Sequence, residues 1–245
     1  MTDLPLSRLY HDNTSLIPET ARRFVEQQTL PLEMPHPHSW LGGLEIPLKA
    51  KPIKAPLGKL LGQRESAIHF TEQALTFKSL ASVLESALGS GALRSSGLPR
   101  RPYPSAGGLY PVSCFLFARS VDSLESGIYH INEDRHSLYQ LNLQSAHDMN
   151  QLLRRAVLGE EWLYQASAFV VMAADLQRSV SKYGERGYRF VLLEAGHIAQ
   201  NLELSAEAAK VGHLCLGGFC ENELTRALGL PESHSIVYAM AFGHT

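Results

Sequence analysis

Cysteine is scarce in this chain. Cys114, Cys215 and Cys220 are odd in number and form no Cys-x-x-Cys pair, which argues against a disulfide framework and fits a reducing cytoplasm. An excess of one charge is lacking too. The 22 basic and 24 acidic residues leave a net charge of −2, so no general pull toward nucleic acid or an acidic membrane surface is implied. No apolar run is long: the longest clean one, Ala168–Ala174, falls well short of the ~18 residues that cross a bilayer. The opening Met1-Thr2-Asp3-Leu4-Pro5 has neither a basic nor an apolar stretch, so no signal peptide is expected. Internal repeats and low-complexity tracts are absent. So are G-x-G-x-x-G after a strand, the phosphate-binding G-x-x-x-x-G-K-[ST], H-E-x-x-H and G-x-S-x-G. Ser179-Val180-Ser181-Lys182 fits S-x-x-K, but the companion S-D-N and K-T-G elements are missing, so the match reads as chance. His36 and His38 have no further ligand at useful spacing, so they read as solvated and no metal site is expected.

The 245 residues, 44% of them apolar, suit one large domain or a tightly joined pair. Residues 1–60 read as an irregular, Pro-rich arm, since Pro31, Pro35, Pro37, Pro47, Pro52 and Pro56 break any long helix in its second half. Residues 61–245 read as the main domain. Thr76 is placed to cap a helix with an apolar stripe of Phe77, Leu80, Val83, Leu84, Ala87 and Leu88 that Gly89 ends. A Gly/Ser-rich connection, Gly89–Gly97, follows. Val112–Ala118 reads as a buried strand, and residues 127–131 and 137–141 as a hairpin. A helix is expected over Met149–Leu158. Ala166–Ala174 reads as a strand covered on both faces. The longest helix runs from about Tyr188 to Lys210, with Val191, Ala195, Ile198, Leu202, Ala206 and Ala209 on one face. Leu193, Gln200, Asn201 and Leu204 lie off that stripe, and a second buried face there needs another subunit or a ligand. The last strand is Ile236–Phe242. Strands and helices intermix without a βαβ rhythm, so the class is α+β.

Four segments carry candidate chemistry. In Arg101-Pro102-Tyr103-Pro104-Ser105-Ala106-Gly107-Gly108-Leu109-Tyr110-Pro111, prolines stiffen entry and exit around two glycines. Backbone N–H groups there can approach a flat or anionic ligand; read alone, the segment is equally a rigid turn feeding a strand. In Arg64-Glu65-Ser66 an arginine and a hydroxyl two apart can reach one phosphate, or form a solvated turn. Lys182-Tyr183-Gly184-Glu185-Arg186-Gly187-Tyr188-Arg189 is dense in proton handlers. A lysine there is a competent base if burial or a nearby cation such as Arg186 or Arg189 lowers its pKa; otherwise the segment is a charged helix start. Gly217 and Gly218 form another glycine pair able to approach a planar ring or to end an element.

In order and content, these segments, together with Gly127-Ile128-Tyr129-His130, Glu194-Ala195-Gly196 and Gln200-Asn201-Leu202, resemble the nitroreductase-like flavoproteins. Among those the likeness is to the SagB-type and microcin-type azoline dehydrogenases, over roughly Gly62 to Gly243. The resemblance implies an α+β FMN-binding fold, a mixed sheet flanked by helices, working as a homodimer with FMN at the subunit interface. It implies that Arg64 and Ser66 hold the phosphate, that Pro104, Ser105, Ala106, Gly107 and Gly108 line the ring and ribityl chain, and that Gly217 and Gly218 cover the ring from the other side. Gln200 and Asn201 join the cofactor-binding set. Lys182 and Tyr183 fall on the catalytic pair. Two departures are visible: Ile68 stands where a basic residue usually follows Arg-x-Ser, and a basic tail is not found after the last strand. Arg94, Arg100 or Arg101 is expected to replace the charge.

The implied reaction is oxidation of a thiazoline or oxazoline in a ribosomally made precursor peptide, with hydride passing to FMN and O2 as final acceptor. The implied partners are the precursor peptide and a YcaO-type cyclodehydratase, with the Pro-rich arm as docking surface. The alternatives are an NAD(P)H-dependent nitro- or quinone reductase of the same fold, and a flavin-free scaffold in a biosynthetic complex.

Overall fold

The computed structural model describes residues 5–16, 18, 21, 24, 25, 40, 43–50, 53–93 and 99–245. His36, His38, Arg94, Gly97 and the prolines at 31, 35, 37 and 52 lie outside the described residues.

The chain folds around a seven-stranded sheet. β1 is Glu45–Pro47, β5 Val112–Ala118, β7 Gly127–Asn132, β8 Ser137–Leu143, β9 Ala168–Asp175, β10 Gly212–Leu216 and β11 His234–Gly243. Their order is β1-β8-β7-β5-β9-β11-β10, and every neighbouring pair in it is antiparallel. The parallel part of the expected strand mix is confined to a small separate pair, β2 (Leu75–Thr76) with β6 (Val121–Asp122). A third pair joins β3 (Gly91–Leu93) to β4 (Pro99–Arg100).

Alternation along β5 and β9 splits the core into two layers, because successive strand side chains point to opposite faces. Cys114, Leu116, Val170 and Met172 face one layer. Phe115, Phe117, Phe169 and Val171 face the other. All eight residues of β9 are buried, which is why its sequence is apolar from Ala168 to Ala174, up to the Asp175 that ends it.

Helices cover both faces. α3 (Phe77–Leu88) begins where the Thr76 hydroxyl accepts the Ser79 N–H and ends at Gly89, as its sequence predicts. It packs beside α6 (Arg186–Ala209), whose Val191, Ala195, Ile198, Leu202 and Ala206 are buried. α6 starts two residues before the expected Tyr188 and ends as Lys210 turns left-handed at φ 56°. On the opposite face lie α4 (Ala146–Ala156), capped by Ser145, and α7 (Glu221–Leu228).

Among the described residues, the region expected to be an irregular arm holds regular pieces that include α1 (Leu6–Asn13), strand β1 and most of α2 (Leu57–Gln63). β1 borders the main sheet by pairing with Ser137–Tyr139 of β8. Three residues with Pro47 at the end are too short for a period-2 signal, and proline is tolerated at such an edge. Among the described residues, no helix is long and apolar enough to cross a membrane.

α5 (Leu176–Tyr183) is joined to α6 by a sharp bend at Gly184, φ 56°. The two helices approach closely at Gly187. A Cβ there would lie 2.7 Å from the Ser179 carbonyl oxygen and 2.9 Å from the Val180 nitrogen, and the Ser179 hydroxyl donates to the Gly187 carbonyl at 3.0 Å. Gly196, on the same helix, has open space around its missing side chain. Gly187→Ala is therefore expected to destabilise the fold by about 1–3 kcal/mol through backbone overlap. Gly196→Ala is expected to stabilise it by about 0.5–1 kcal/mol through helix propensity. Urea unfolding of the two variants checks the opposite signs.

Candidate functional site

Antiparallel pairing places the N-terminal end of β5, the C-terminal end of β9 and the C-terminal end of β10 at one end of the sheet, since Val112 pairs with Ala174 and Leu216 with Ala239 of β11. The Pro/Gly loop leads into the first of these, and α5 leaves the second. Asp175 caps α5 through the Arg178 N–H at 3.2 Å. The Asp175 N–H in turn donates to the Pro111 carbonyl at 2.9 Å, so loop and helix share one anchor.

Within the loop, Ala106–Gly108 makes a single 3-10 turn. Gly107 and Gly108 sit at φ 61° and 67°, and Tyr110, not a glycine, at φ 48°. The Tyr110 N–H donates to Ser105 Oγ at 2.9 Å, and Arg178 Nε donates to the Leu109 carbonyl at 2.6 Å. Asn201 Nδ2 donates to the Pro102 carbonyl at 3.3 Å.

Lys182 and Tyr183, at the end of α5, meet this loop at Gly107. A Cβ on Gly107 would overlap the Tyr183 hydroxyl and lie 2.9 Å from Lys182 Nζ. Lys182 Nζ also stands 5.6 Å from the centre of the Tyr183 ring. Tyr183 is buried, with its ring edge-on to Phe190 at 5.0 Å and 6.2 Å from that of Phe24. Burial pushes the Tyr183 phenol up from its ordinary value. An amine, a phenol and exposed glycine backbone thus converge on one spot.

The arginines expected to act on Lys182 are placed otherwise. Arg186 Nη1 donates to the Thr14 carbonyl at 2.6 Å. Arg189 reaches the His11 carbonyl at 2.6 Å and the Thr14 hydroxyl at 2.5 Å. They hold the carbonyl end of α1, where cations complement the helix dipole.

Arg64 and Ser66 do come together, Nη1 to Oγ at 3.2 Å. Glu203 of α6 stands 3.6 Å from Arg64. A cleft of about 440 Å³ opens beside Ser66, lined in part by Ile68, His69, Lys210 and His213. His213 is buried; among the described residues its Nε2 has no hydrogen-bond partner, and the Glu203 carboxylate stands 4.0 Å from it. Lys210 brings to this cleft a positive charge that the sequence reading sought in arginines elsewhere. Arg101, expected at the phosphate, is engaged elsewhere. Its guanidinium forms a buried ion pair with Glu133, donates to the Tyr103 hydroxyl at 3.0 Å and stacks 4.5 Å from the Tyr110 ring centre. It braces the loop and is not among the residues that line the Ser66 cleft. Arg100 is exposed on β4.

The remaining expected residues are scattered. Gln200 is exposed, and Asn201 ties the loop to α6. The Gly218 carbonyl accepts the Leu158 N–H at 3.0 Å, and a Cβ on Gly217 would meet nothing within 4 Å. The two glycines share the sheet end with the Pro/Gly loop, yet a single protomer leaves them apart from Gly107.

Glu194, which the sequence places in a matching segment without a role, is buried on α6, where its carboxylate accepts the Val112 N–H at 3.3 Å beside the Ser105 hydroxyl. Burial pushes its pKa up to about 7, with Ser105, Val112 and the nearby Arg101 and Arg178 pulling the other way. A signal existed: position 194 lies three after Val191 and four before Ile198, on the apolar stripe, where an acidic residue needs a reason.

Glu194 and Glu203 of α6 are nine positions apart, roughly 13 Å at 1.5 Å per residue. The first faces the glycine loop and the second the Arg64–Ser66 cluster. This separation and chemistry fit an extended ligand with a planar head and an anionic tail, as FMN is. Backbone without a Cβ faces the head, and a cation and hydroxyl face the tail.

Residues 61–244 match the nitroreductase family. The chain is 31% identical over 177 residues to MJ1384 of Methanocaldococcus jannaschii, named for nitroreductase activity, covering 72% of this chain and 85% of that protein. It is 27% identical over 177 residues to the microcin B17-processing protein McbC of Escherichia coli, covering 68% of this chain and 61% of that protein. A chain of the Escherichia coli microcin synthetase McbBCD complex with truncated pro-MccB17 bound superposes with a TM-score of 0.66 at 22% identity, over 98% of this chain and 92% of that one. A nitroreductase-type structure from Anabaena variabilis gives 0.68 at 22% identity over 99% of this chain, which spans about half (49%) of its length. With the matched segment running from α2 to the end of β11, the chain belongs to the nitroreductase family, a family of oxidoreductases.

Proposed function

We propose that the protein is an FMN-dependent dehydrogenase that oxidises thiazolines or oxazolines to thiazoles or oxazoles in a precursor peptide. The observation that carries this reading is the convergence of Lys182 Nζ and the Tyr183 hydroxyl on Gly107. Members of the nitroreductase family typically bind FMN, and the likeness to McbC and to a chain of McbBCD supports a substrate of the microcin type.

Aromatising an azoline removes a proton from one ring carbon and a hydride from its neighbour. Bound FMN supplies the hydride acceptor. Lys182 is the residue assigned to take the proton. Tyr183 orients the reacting ring or the lysine through its hydroxyl. The ring of Tyr183 is buried, with Phe190 and Phe24 beside it. Gly107 lets the amine and the phenol close on the loop backbone, and Arg64 and Ser66 would hold the phosphate with Lys210 completing the charge. Gly217, Gly218 and Gln200 contribute across the interface from a second copy.

A second copy is the occupant we assign to the exposed apolar side of α6 and α2. Leu192, Leu193, Leu57 and Leu61 are exposed there, beyond the scatter of single apolar residues normal on a monomer surface. A cyclodehydratase and the precursor peptide are the proposed partners, since an azoline must first be made by cyclisation.

A second reading, an NAD(P)H-dependent nitroreductase, is favoured by the 31% identity to MJ1384. Two assays on the purified protein separate them. Oxidation of an azoline-containing peptide with O2 supports the first; rapid NADPH-driven nitroarene reduction without azoline oxidation overturns it. Lys182→Ala is expected to lower azoline oxidation roughly 10²–10⁴-fold, the usual worth of a general base, while retaining FMN. Tyr183→Phe is expected to cost about tenfold, one hydrogen bond's worth. A Lys182→Ala enzyme of wild-type rate would refute the base.

Gly107→Ala is expected to weaken FMN binding at least about tenfold, because the left-handed φ costs an L-residue roughly 1–2 kcal/mol and the added methyl meets Tyr183. Flavin fluorescence titration measures it. Leu193→Glu is expected to shift the protein from dimer to monomer in sedimentation, with loss of bound FMN.

A further inference from the structure

We infer that Glu194 is a positioning residue: its buried carboxylate, acting through Ser105 and the Val112 amide, holds the 101–111 loop at the height that sets Gly107 against Lys182 and Tyr183. What the loop is held for rests on the flavin reading above; that it is held by Glu194 does not.

An apolar side chain would suit position 194, between Val191 and Ile198 on the buried face of α6. A carboxylate there loses its water and must find donors in the protein. It accepts the Val112 N–H at 3.3 Å and has the Ser105 hydroxyl beside it. Ser105 Oγ in turn accepts the Tyr110 N–H at 2.9 Å. Residues 105 and 112 bracket the glycine turn of the loop, so one side chain stands against both sides of that turn.

Between those ends the backbone is left-handed at three places, Gly107, Gly108 and Tyr110. Tyr110 in particular persists in such a conformation only where its surroundings over-determine it. Arg178 adds to the same clamp: it lies close enough to favour the ionised Glu194 and ties down the Leu109 carbonyl at 2.6 Å. Arg101 faces Glu194 from the other side and stacks on the Tyr110 ring. Nothing in the proposed proton transfer uses Glu194, and it touches neither Lys182 nor Tyr183 by any hydrogen bond among the described residues. Its effect passes through the loop.

A residue that merely stabilises the fold and one that positions a loop differ when the carboxylate is replaced by leucine. Leucine at 194 leaves the Val112 N–H without its acceptor, and a buried donor left unpaired costs stability, so a lowered melting temperature is expected on either account. The two accounts differ in where the protein loosens. For Glu194→Leu in the full-length protein we expect the loss to fall on the loop. Hydrogen exchange at the Tyr110 and Val112 amides should be about tenfold faster, one hydrogen bond's worth. Glu194→Gln keeps an acceptor for Val112 and a link to Ser105, and should restore protection to near the wild-type level. Exchange is measured without flavin, so the result stands whether or not FMN binds.

Wild-type protection of residues 105–112 in Glu194→Leu would overturn the inference. So would faster exchange spread evenly over α3, α6 and the sheet. If the exchange result holds while the wild-type protein takes up no FMN, the flavin reading fails and the positioning role survives. If both hold, flavin affinity should fall about tenfold in Glu194→Leu and recover in Glu194→Gln.

Discussion

The candidate site depends on the absence of one methyl group. The loop before β5 and the end of α5 approach until a side chain at position 107 would overlap the Tyr183 hydroxyl and press on Lys182 Nζ. Such closeness is tolerable because Gly107 has no Cβ and adopts φ 61° without penalty. The approach is then locked from both sides. Gly187 lets α5 settle on α6, where a Cβ would strike the Ser179 carbonyl, and Asp175 binds the start of α5 to the end of the loop through Pro111. Backbone, not side-chain bulk, sets the distance between the amine, the phenol and the loop.

Beneath that contact the protein has buried charge in quantity. Glu133 accepts hydrogen bonds from Tyr103 at 3.0 Å and pairs with Arg101, while Glu194 sits on the neighbouring helix. Burial pushes both carboxyls up to about 7, the opposing pull of Arg101 and the hydrogen bonds notwithstanding. Buried ion pairs are poor sources of net stability, since the loss of hydration rivals the attraction. Their use here is directional. Each charge has its donors or acceptors in the loop or in the strands the loop joins, so a segment with two glycines and a left-handed tyrosine is held in one conformation.

Elements made by local pattern were readable before folding was considered. The stripe of α6, the unbroken apolar run of β9 and the Thr76 cap all follow from neighbours within a few positions. So does the meeting of Arg64 and Ser66, two residues apart. The partners of charged residues were not readable in the same way. Arg101 was assigned to a phosphate and found Glu133, thirty-two positions on; Arg186 and Arg189 were assigned to a lysine and found the end of α1, some 170 positions back. Spacing says what a guanidinium can bind and nothing about which acceptor the fold delivers. Lys210 was passed over because its place at the Ser66 cleft comes from the left-handed turn closing α6, not from any motif. Glu194 is legible as an acid on an apolar stripe, but its partner, the Val112 amide eighty-two positions back, is delivered by the fold.

The fold alone leaves the chemistry open, since one architecture hosts many reactions and function resides in the site placed on it. A reductase fed by a nicotinamide needs a flavin cradle and an open face. It has no need of an amine and a buried phenol against the glycine loop. An azoline oxidase needs both a hydride acceptor and a base, because aromatising the ring removes a proton as well as a hydride. The chain sets Lys182 and Tyr183 at the exposed glycine, with Phe190 and Phe24 beside the Tyr183 ring. Phe24 comes from the segment before the family match, which joins that segment physically to the proposed catalytic pair. A specific substrate is distinguished from a generic one by contacts beyond the shared cradle. The proposal of peptide azoline oxidation therefore stands on the Lys182–Tyr183 pair, while sequence similarity by itself carries the chain as far as the nitroreductase family.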